Sequence, residues 1–192
     1  LNRHSLKTVV TEFMLSDIVH IEFCKGEKVN RVKVMKNLLF FENVRLLKEK
    51  FGIIPLMYGS LELEYITGKS LDADDIDILI PEIFLNEHWS EFKEFLTDRG
   101  YILFDKHEHT FQKDDVFYSY ASVEELESFA GINISDIRLA TNDDVRFRLL
   151  SLEQYLKVYM ASSKDGYRIN IRKKKDQEKI AFIEKCIALQ CD

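Results

Sequence analysis

Residues 75–80 read Asp-Ile-Asp-Ile-Leu-Ile and end at Pro81. Side chains along a strand alternate between its two faces. As a strand, this segment sends Asp75 and Asp77 to one face while Ile76 and Ile78 enter a core on the other. Two carboxylates on one face of an apolar strand repel each other and lose hydration. A hard divalent cation such as Mg²⁺ held between them removes both penalties. A second reading needs no cation: Asp75 belongs to a solvated acidic loop with Asp72 and Asp74, and Asp77 lies at a sheet edge. Taken alone, the segment admits both readings.

What precedes it narrows the choice. Residues 53–58 form a compact apolar strand, Gly59-Ser60 opens a turn, and residues 61–67 suit one or two helical turns. A polar loop, 68–74, then leads into the acidic strand. A glycine lets the chain pass close to a phosphate, and Ser60 offers a hydroxyl and a backbone N–H at a helix start. The same pair also makes ordinary strand-to-helix turns. It is the succession of apolar strand, Gly-Ser, short helix, loop and acidic strand that forms a composite pattern.

The rest of the chain alternates helices with short strands. A helical pattern starting at Val29 stops at Gly52 after Lys48 and Lys50, a basic last turn followed by glycine. Residues 84–99 suit an amphipathic helix ending at Gly100. Segments 101–104, 109–113 and 116–121 are expected strands, with Asp114-Asp115 as a hairpin turn. A short helix over 123–129 and strands at 137–140 and 145–147 follow. Helices are expected over 151–160, capped by Ser151, and over 173–189, with a lead-in helix at 4–16 and an extended segment at 20–23. The expected fold is α+β (mixed α/β), a mixed sheet flanked by helices with a C-terminal helical part. The expected organisation is a lead-in over 1–50, a core over 51–125 and a mostly helical extension over 126–192.

Charge and cysteine usage exclude several classes. The 192-residue chain carries a net charge of −6, which disfavours broad binding to a nucleic acid backbone. A 46% hydrophobic content with only 2 Pro and 7 Gly supports a packed core rather than disorder. Cys24, Cys186 and Cys191 are odd in number and form no paired motif, so neither a disulfide framework nor a zinc site is expected. No apolar run approaches the roughly 18 residues of a membrane span, and the first residues lack a secretory pattern. A cytoplasmic protein without membrane contact is the expectation.

The pattern Leu56-Met57-Tyr58-Gly59-Ser60 followed by Asp75-Ile76-Asp77-Ile78 resembles the nucleotidyltransferase superfamily, which has the DNA polymerase β-like fold. The likeness covers about residues 51–121, and the C-terminal helical part resembles that of small bacterial members of the toxin–antitoxin type. It implies Mg²⁺ (or Mn²⁺) as cofactor, a nucleoside triphosphate as substrate, and transfer of a nucleoside monophosphate to a hydroxyl or amine. That acceptor would be a small molecule, a protein or a tRNA. Asp75 and Asp77 would hold the metal and carry catalysis, and Gly59 and Ser60 would touch the phosphates. Lys157, on a C-terminal helix and followed later by Lys175-Asp176, would also reach a phosphate; its alternative is an exposed helix lysine.

One expected part is missing. Members of the superfamily present a third carboxylate on a later strand, and here the corresponding place falls near Ser119. Asp115 and Glu108 are the candidate substitutes. A catalytically degenerate nucleotide-binding or toxin/antitoxin-type regulatory protein, working with a partner protein, is therefore the alternative function. His107 and His109 flank Glu108 and would share a strand face, as a metal site or as a polar edge. Trp89 suits a core-facing helix position better than a stacking platform. Tyr118 and Tyr120 suit half-buried strand positions better than a base-stacking pair.

Overall fold

The computed structural model describes residues 31–163 and 166–190, and side chains within 35–163 and 175–189. The chain divides into two units, residues 1–35 and 36–192. The expected helix at 4–16 and extended segment at 20–23 lie outside the described residues. Of the first unit, only the start of the helix Arg31–Phe51 (α1) is described.

The second unit is built on one seven-stranded mixed sheet. Its strands are Leu56–Tyr58 (β1), Ile76–Ile80 (β2), Ile102–Asp105 (β3), Thr110–Lys113 (β4), Val116–Ser122 (β5), Arg138–Asn142 (β6) and Val145–Leu149 (β7). They lie in the order β3-β4-β5-β2-β1-β7-β6. The short β1 runs antiparallel to β2 and parallel to β7, and β2 runs parallel to β5. The strand that leads into Gly-Ser, β1, and the strand that carries Asp77, β2, are thus central, and the hairpin β3-β4 forms one edge. The remaining helices are Gly59–Thr67 (α2), Trp89–Thr97 (α3), Glu125–Ala130 (α4), Leu152–Ser162 (α5) and Gly166–Gln190 (α6). The architecture is α+β, as expected.

Strand alternation sorts the core into two layers. Ile76, Ile78, Ile80, Tyr118 and Tyr120 point to one face, where Phe40, Phe41, Val44 and Leu47 of α1 and Phe92 and Leu96 of α3 cover them. Leu56 and Leu79 point to the other face and meet Leu63 of α2, Leu152, Tyr155 and Val158 of α5, and Ile183 and Cys186 of α6. Edge-on rings knit the first layer: Phe147 lies 5.7 Å from Phe40 and 5.3 Å from Phe41. Such contacts add about 0.5–1.5 kcal/mol each beyond area burial.

Local chemistry sets the ends of the elements. Gly52 stops α1 with φ +68° and donates its N–H to the Lys48 carbonyl at 2.9 Å. Ser151 caps α5 in a reciprocal capping box with Gln154. The hairpin β4–β5 turns on Asp114 and Asp115, both at positive φ, as a two-residue hairpin turn requires.

Three local expectations change. The segment expected as a helix over 84–99 is a 3₁₀ turn at Glu82–Phe84 followed by α3 from Trp89. The closing helix begins at Gly166 rather than 173. His107 and Glu108 lie in the turn between β3 and β4, and His109 ends it at φ +47°. The two histidines therefore do not share a strand face, because the chain reverses direction through them.

Candidate active site

The acidic strand behaves as its alternation requires. Ile76 and Ile78 are fully buried, Asp77 is half-buried on the opposite face of the strand, and Asp75 is half-buried at the bend before it. Asp75 immediately precedes β2 and Asp77 is its second residue. Asp77 is the register partner of Tyr58, the last residue of β1, so the acidic strand and the Gly-Ser turn meet side by side.

The meeting is close enough to demand glycine. Gly59 has φ +74°, a backbone conformation that side chains disfavour. A Cβ there would stand 2.1 Å from Asp77 Oδ2. The Asp77 carboxylate thus occupies the space a side chain would need. Gly59 begins α2, whose first N–H groups have no partner within the helix.

Ser60, the next residue, accepts a hydrogen bond from Lys179 Nζ of α6 at 2.8 Å. The same ammonium donates to Tyr159 Oη at 3.0 Å and lies 5.2 Å from the Tyr159 ring centroid. Lys157, by contrast, is exposed on α5, and the described amine at the Gly-Ser turn is Lys179. Of the later pair, Lys175 is exposed, and Asp176 is buried where it accepts from Ser162 Oγ at 2.8 Å.

Two buried glutamates hold the site from behind. Glu64 Oε1 accepts from the N–H groups of Leu71 and Ala73 at 2.7 and 3.1 Å, which anchors the loop leading to Asp75. Lys36 of α1 donates to the Ala73 carbonyl of the same loop. Glu62 is fully buried beneath Gly59 and accepts from Leu150 N–H and from Tyr155 Oη, the latter at 2.6 Å. Tyr155 Oη also lies 3.3 Å from the Gly59 carbonyl oxygen. Burial raises the Glu62 carboxyl well above the usual range, against the smaller opposing effects of its hydrogen bonds and Arg138. Burial also raises the Tyr155 hydroxyl, and the nearby Glu62 adds to it. Tyr155 is stacked between Tyr58 and Tyr159 at 6.0 and 6.1 Å.

The third strand of the site is β5. Ser119 is the register partner of Asp77, on the same face. Its other partner is Thr110 of β4, and the two hydroxyls are 2.9 Å apart. Asp115 lies in the turn four residues before Ser119, about 13 Å back along an extended strand. Glu108 lies in the β3–β4 turn and its backbone N–H is held by Asp105 Oδ1 at 3.2 Å. Among the described residues, no group of three or more His, Cys, Asp or Glu side chains is arranged to hold a metal ion.

The aromatic residues take structural places. Trp89 is half-buried and packs edge-on against His109 at 4.7 Å. Burial lowers the His109 imidazole below its usual range. Tyr118 and Tyr120 lie in the core on the face away from Asp77, where Tyr120 Oη accepts from the Asn43 amide at 2.7 Å.

Lys179, Glu62, Glu64 and Tyr155 left little local trace in the sequence. Glu62 and Glu64 sit within Leu-Glu-Leu-Glu, a spacing that suits exposed helix positions as well as buried ones. Lys179 is one of several lysines on α6, and only helix packing selects it.

The arrangement of sheet and helices recurs in a solved structure. One solved structure with this fold is the antibiotic-resistance factor ANT(2'')-Ia, matched with a TM-score of 0.50 over 81% of this chain and 93% of that one, at 10% identity. The likeness extends to the fold alone, a nucleotidyltransferase-like mixed sheet flanked by helices. The chain belongs to the family of the uncharacterized protein YnaI of Bacillus subtilis (strain 168), to which it is 37% identical over 148 residues, 77% of this chain and 95% of the relative. No protein-family model matches the chain.

Proposed function

We propose that the protein transfers a nucleoside monophosphate from a nucleoside triphosphate to an acceptor, at a site formed by Gly59, Ser60, Asp75, Asp77 and Lys179. The observation that carries this reading is the contact of Gly59 with the Asp77 carboxylate, which joins a helix N-terminus to a pair of acids. The pair suits a hard cation such as Mg²⁺ or Mn²⁺: both side chains are half-buried, Asp77 on the central strand β2 and Asp75 at the bend just before it. When bound, the ion would supply charge neutralisation for the triphosphate and its leaving group.

The chain's own groups then have distinct tasks. The first N–H groups of α2 and the Ser60 hydroxyl face anionic phosphate oxygens. Lys179, hydrogen-bonded to Ser60, adds the positive charge that binds them. Lys157, exposed on α5, is a further candidate for a phosphate contact. Asp115 and Glu108 stay candidates for a third ligand only if their turns rearrange on binding.

The resident triphosphate is tested by thermal unfolding with ATP or GTP and Mg²⁺, with and without Asp77→Asn. A stabilisation lost in the variant supports the reading, and equal melting temperatures in all conditions sink it. Label transfer from an α-labelled triphosphate then reports turnover. A second reading, nucleotide binding by a regulatory protein with a protein partner and no turnover, is favoured by Ser119 standing opposite Asp77. Binding without transfer to any acceptor class would select it. Among the described residues no helix is long and apolar enough to cross a membrane.

A further inference from the structure

The place beside Asp77 is occupied by hydroxyls. Ser119 and Thr110 continue the row across the sheet from Asp77, with their hydroxyls 2.9 Å apart. Thr110 Oγ1 also donates to the Glu108 carbonyl at 3.3 Å, so Ser119 donates to Thr110, and the Ser119 hydrogen is the one that a ligand can draw away. A carboxylate in this position would take a proton from an approaching alcohol. The Ser119 hydroxyl removes no proton and can turn its hydrogen from Thr110 to an anion.

The same face continues into exposed hydrocarbon. Phe117 lies two residues before Ser119 on β5, one pleat away and on the same side. Its ring is 4.9 Å from that of Phe104. Phe104 and Ile102 of β3 are 66% and 69% exposed. Phe104 is the extra residue of a β-bulge, since Leu103 pairs with Phe111 and Asp105 already pairs with Thr110. Bulges re-aim side chains, and here the bulge places a ring against Phe117 beside the hydroxyl pair. Such a continuous apolar surface bordering a polar site is the form of a ligand platform.

We propose that the acceptor is an amphipathic oxyanion, a carboxylate or phosphate monoester on an apolar body, with its body on Ile102, Phe104 and Phe117 and its charged head at Ser119. The inference rests on the nucleotidyl-transfer reading above and names its acceptor class. In the reaction, an acceptor oxygen that already lacks a proton forms a bond to the α-phosphorus. The bond from that phosphorus to the oxygen bridging to the β-phosphorus breaks, and pyrophosphate leaves with the electron pair. The product is a mixed acyl–phosphate anhydride or a substituted diphosphate. No proton is removed, so the missing base is not needed.

The experiment uses the full chain with Mg²⁺ and a non-hydrolysable triphosphate. Ligand-observed NMR follows phenylacetate, phenyl phosphate and benzyl alcohol, which share an aromatic body and differ in head. Both anions are expected to bind about tenfold more tightly than the alcohol, the scale of one hydrogen bond to a charged group. Whichever anion binds more tightly names the head. Ser119→Asp should remove the preference for anions, Ser119→Ala should reduce it about threefold, and Phe104→Ala should weaken all three ligands. With an α-labelled triphosphate, label should move to the anions and not to benzyl alcohol. Equal or tighter binding of the alcohol, label found only on the alcohol, or anion binding unchanged in Ser119→Asp would each overturn the acceptor assignment. An Asp77-dependent melting shift with triphosphate alone is read separately. Its absence removes the nucleotidyl-transfer reading itself, whereas its presence with no anion preference removes only the acceptor class.

Discussion

Gly59 and Asp77 share one volume of space, and neither can change alone without cost. In Gly59→Ala the new Cβ would need the place of Asp77 Oδ2, at a φ that already disfavours a side chain. A loss of roughly 1–3 kcal/mol of stability is expected, measurable by denaturant unfolding. Nucleotide-dependent stabilisation should fall with it, because the carboxylate must move. Asp77→Asn keeps the shape, so it should keep the fold and lose only the ligand effect.

Glu62 makes a pH prediction at the same scale. Its folded carboxyl is raised well above the ordinary value of 4.5 by burial. The folded protein therefore holds a proton that the unfolded chain releases above that value. Stability from this group is fully present below pH 4.5 and declines as pH rises towards the folded value, with a slope of at most about 1.4 kcal/mol per pH unit. Glu62→Gln mimics the protonated form and can still accept from Leu150 N–H. The variant should gain stability relative to the natural chain as pH rises from 4 to 8. A constant difference between the two unfolding curves over that range would contradict the assignment.

At the scale of elements, the site depends on where α2, α5 and α6 end and meet. The capping box of Ser151 and Gln154 fixes the start of α5, which carries Tyr155 beneath Gly59 and Tyr159 beside Lys179. Ser151→Ala should cost about 1 kcal/mol in unfolding free energy. The β4–β5 hairpin holds Thr110 against Ser119, and its turn has two aspartates at positive φ. Asp115→Gly should stabilise the fold by about 0.5 kcal/mol, because glycine adopts that conformation freely. A destabilised Asp115→Gly protein in thermal unfolding would instead give the Asp115 side chain a structural role. The capped helix, the hairpin turn and the alternating acidic strand were all legible in the chain, because each depends on neighbours within a few residues. The β3–β4 turn was not: His107-Glu108-His109 has the composition of a strand edge, and the bulge at Phe104 is set by pairing with β4.

For the whole molecule, the two core layers decide how much ligand binding can be seen. Phe147 sits in contact with Phe40, Phe41 and Tyr65 in the layer under α1. Phe147→Ala should lose about 3–5 kcal/mol, enough to threaten folding. A triphosphate present at 100 times its dissociation constant should raise stability by about 2.7 kcal/mol. The same ligand should leave Asp77→Asn unmoved, as read by differential scanning calorimetry.

The chain by itself determined the α+β class, the acidic strand ending at Pro81 and the face on which Asp77 emerges. Period-two alternation, glycine at a tight turn and helix caps are local properties, so local sequence carries them. Only the tertiary structure decided which distant groups complete the site. Register placed Ser119 and Thr110 beside Asp77, helix packing brought Lys179 rather than Lys157 to Ser60, and burial turned Glu62 from a helix surface residue into the support of Gly59. Each of these joins residues far apart in the chain, and such contacts follow from how whole layers pack.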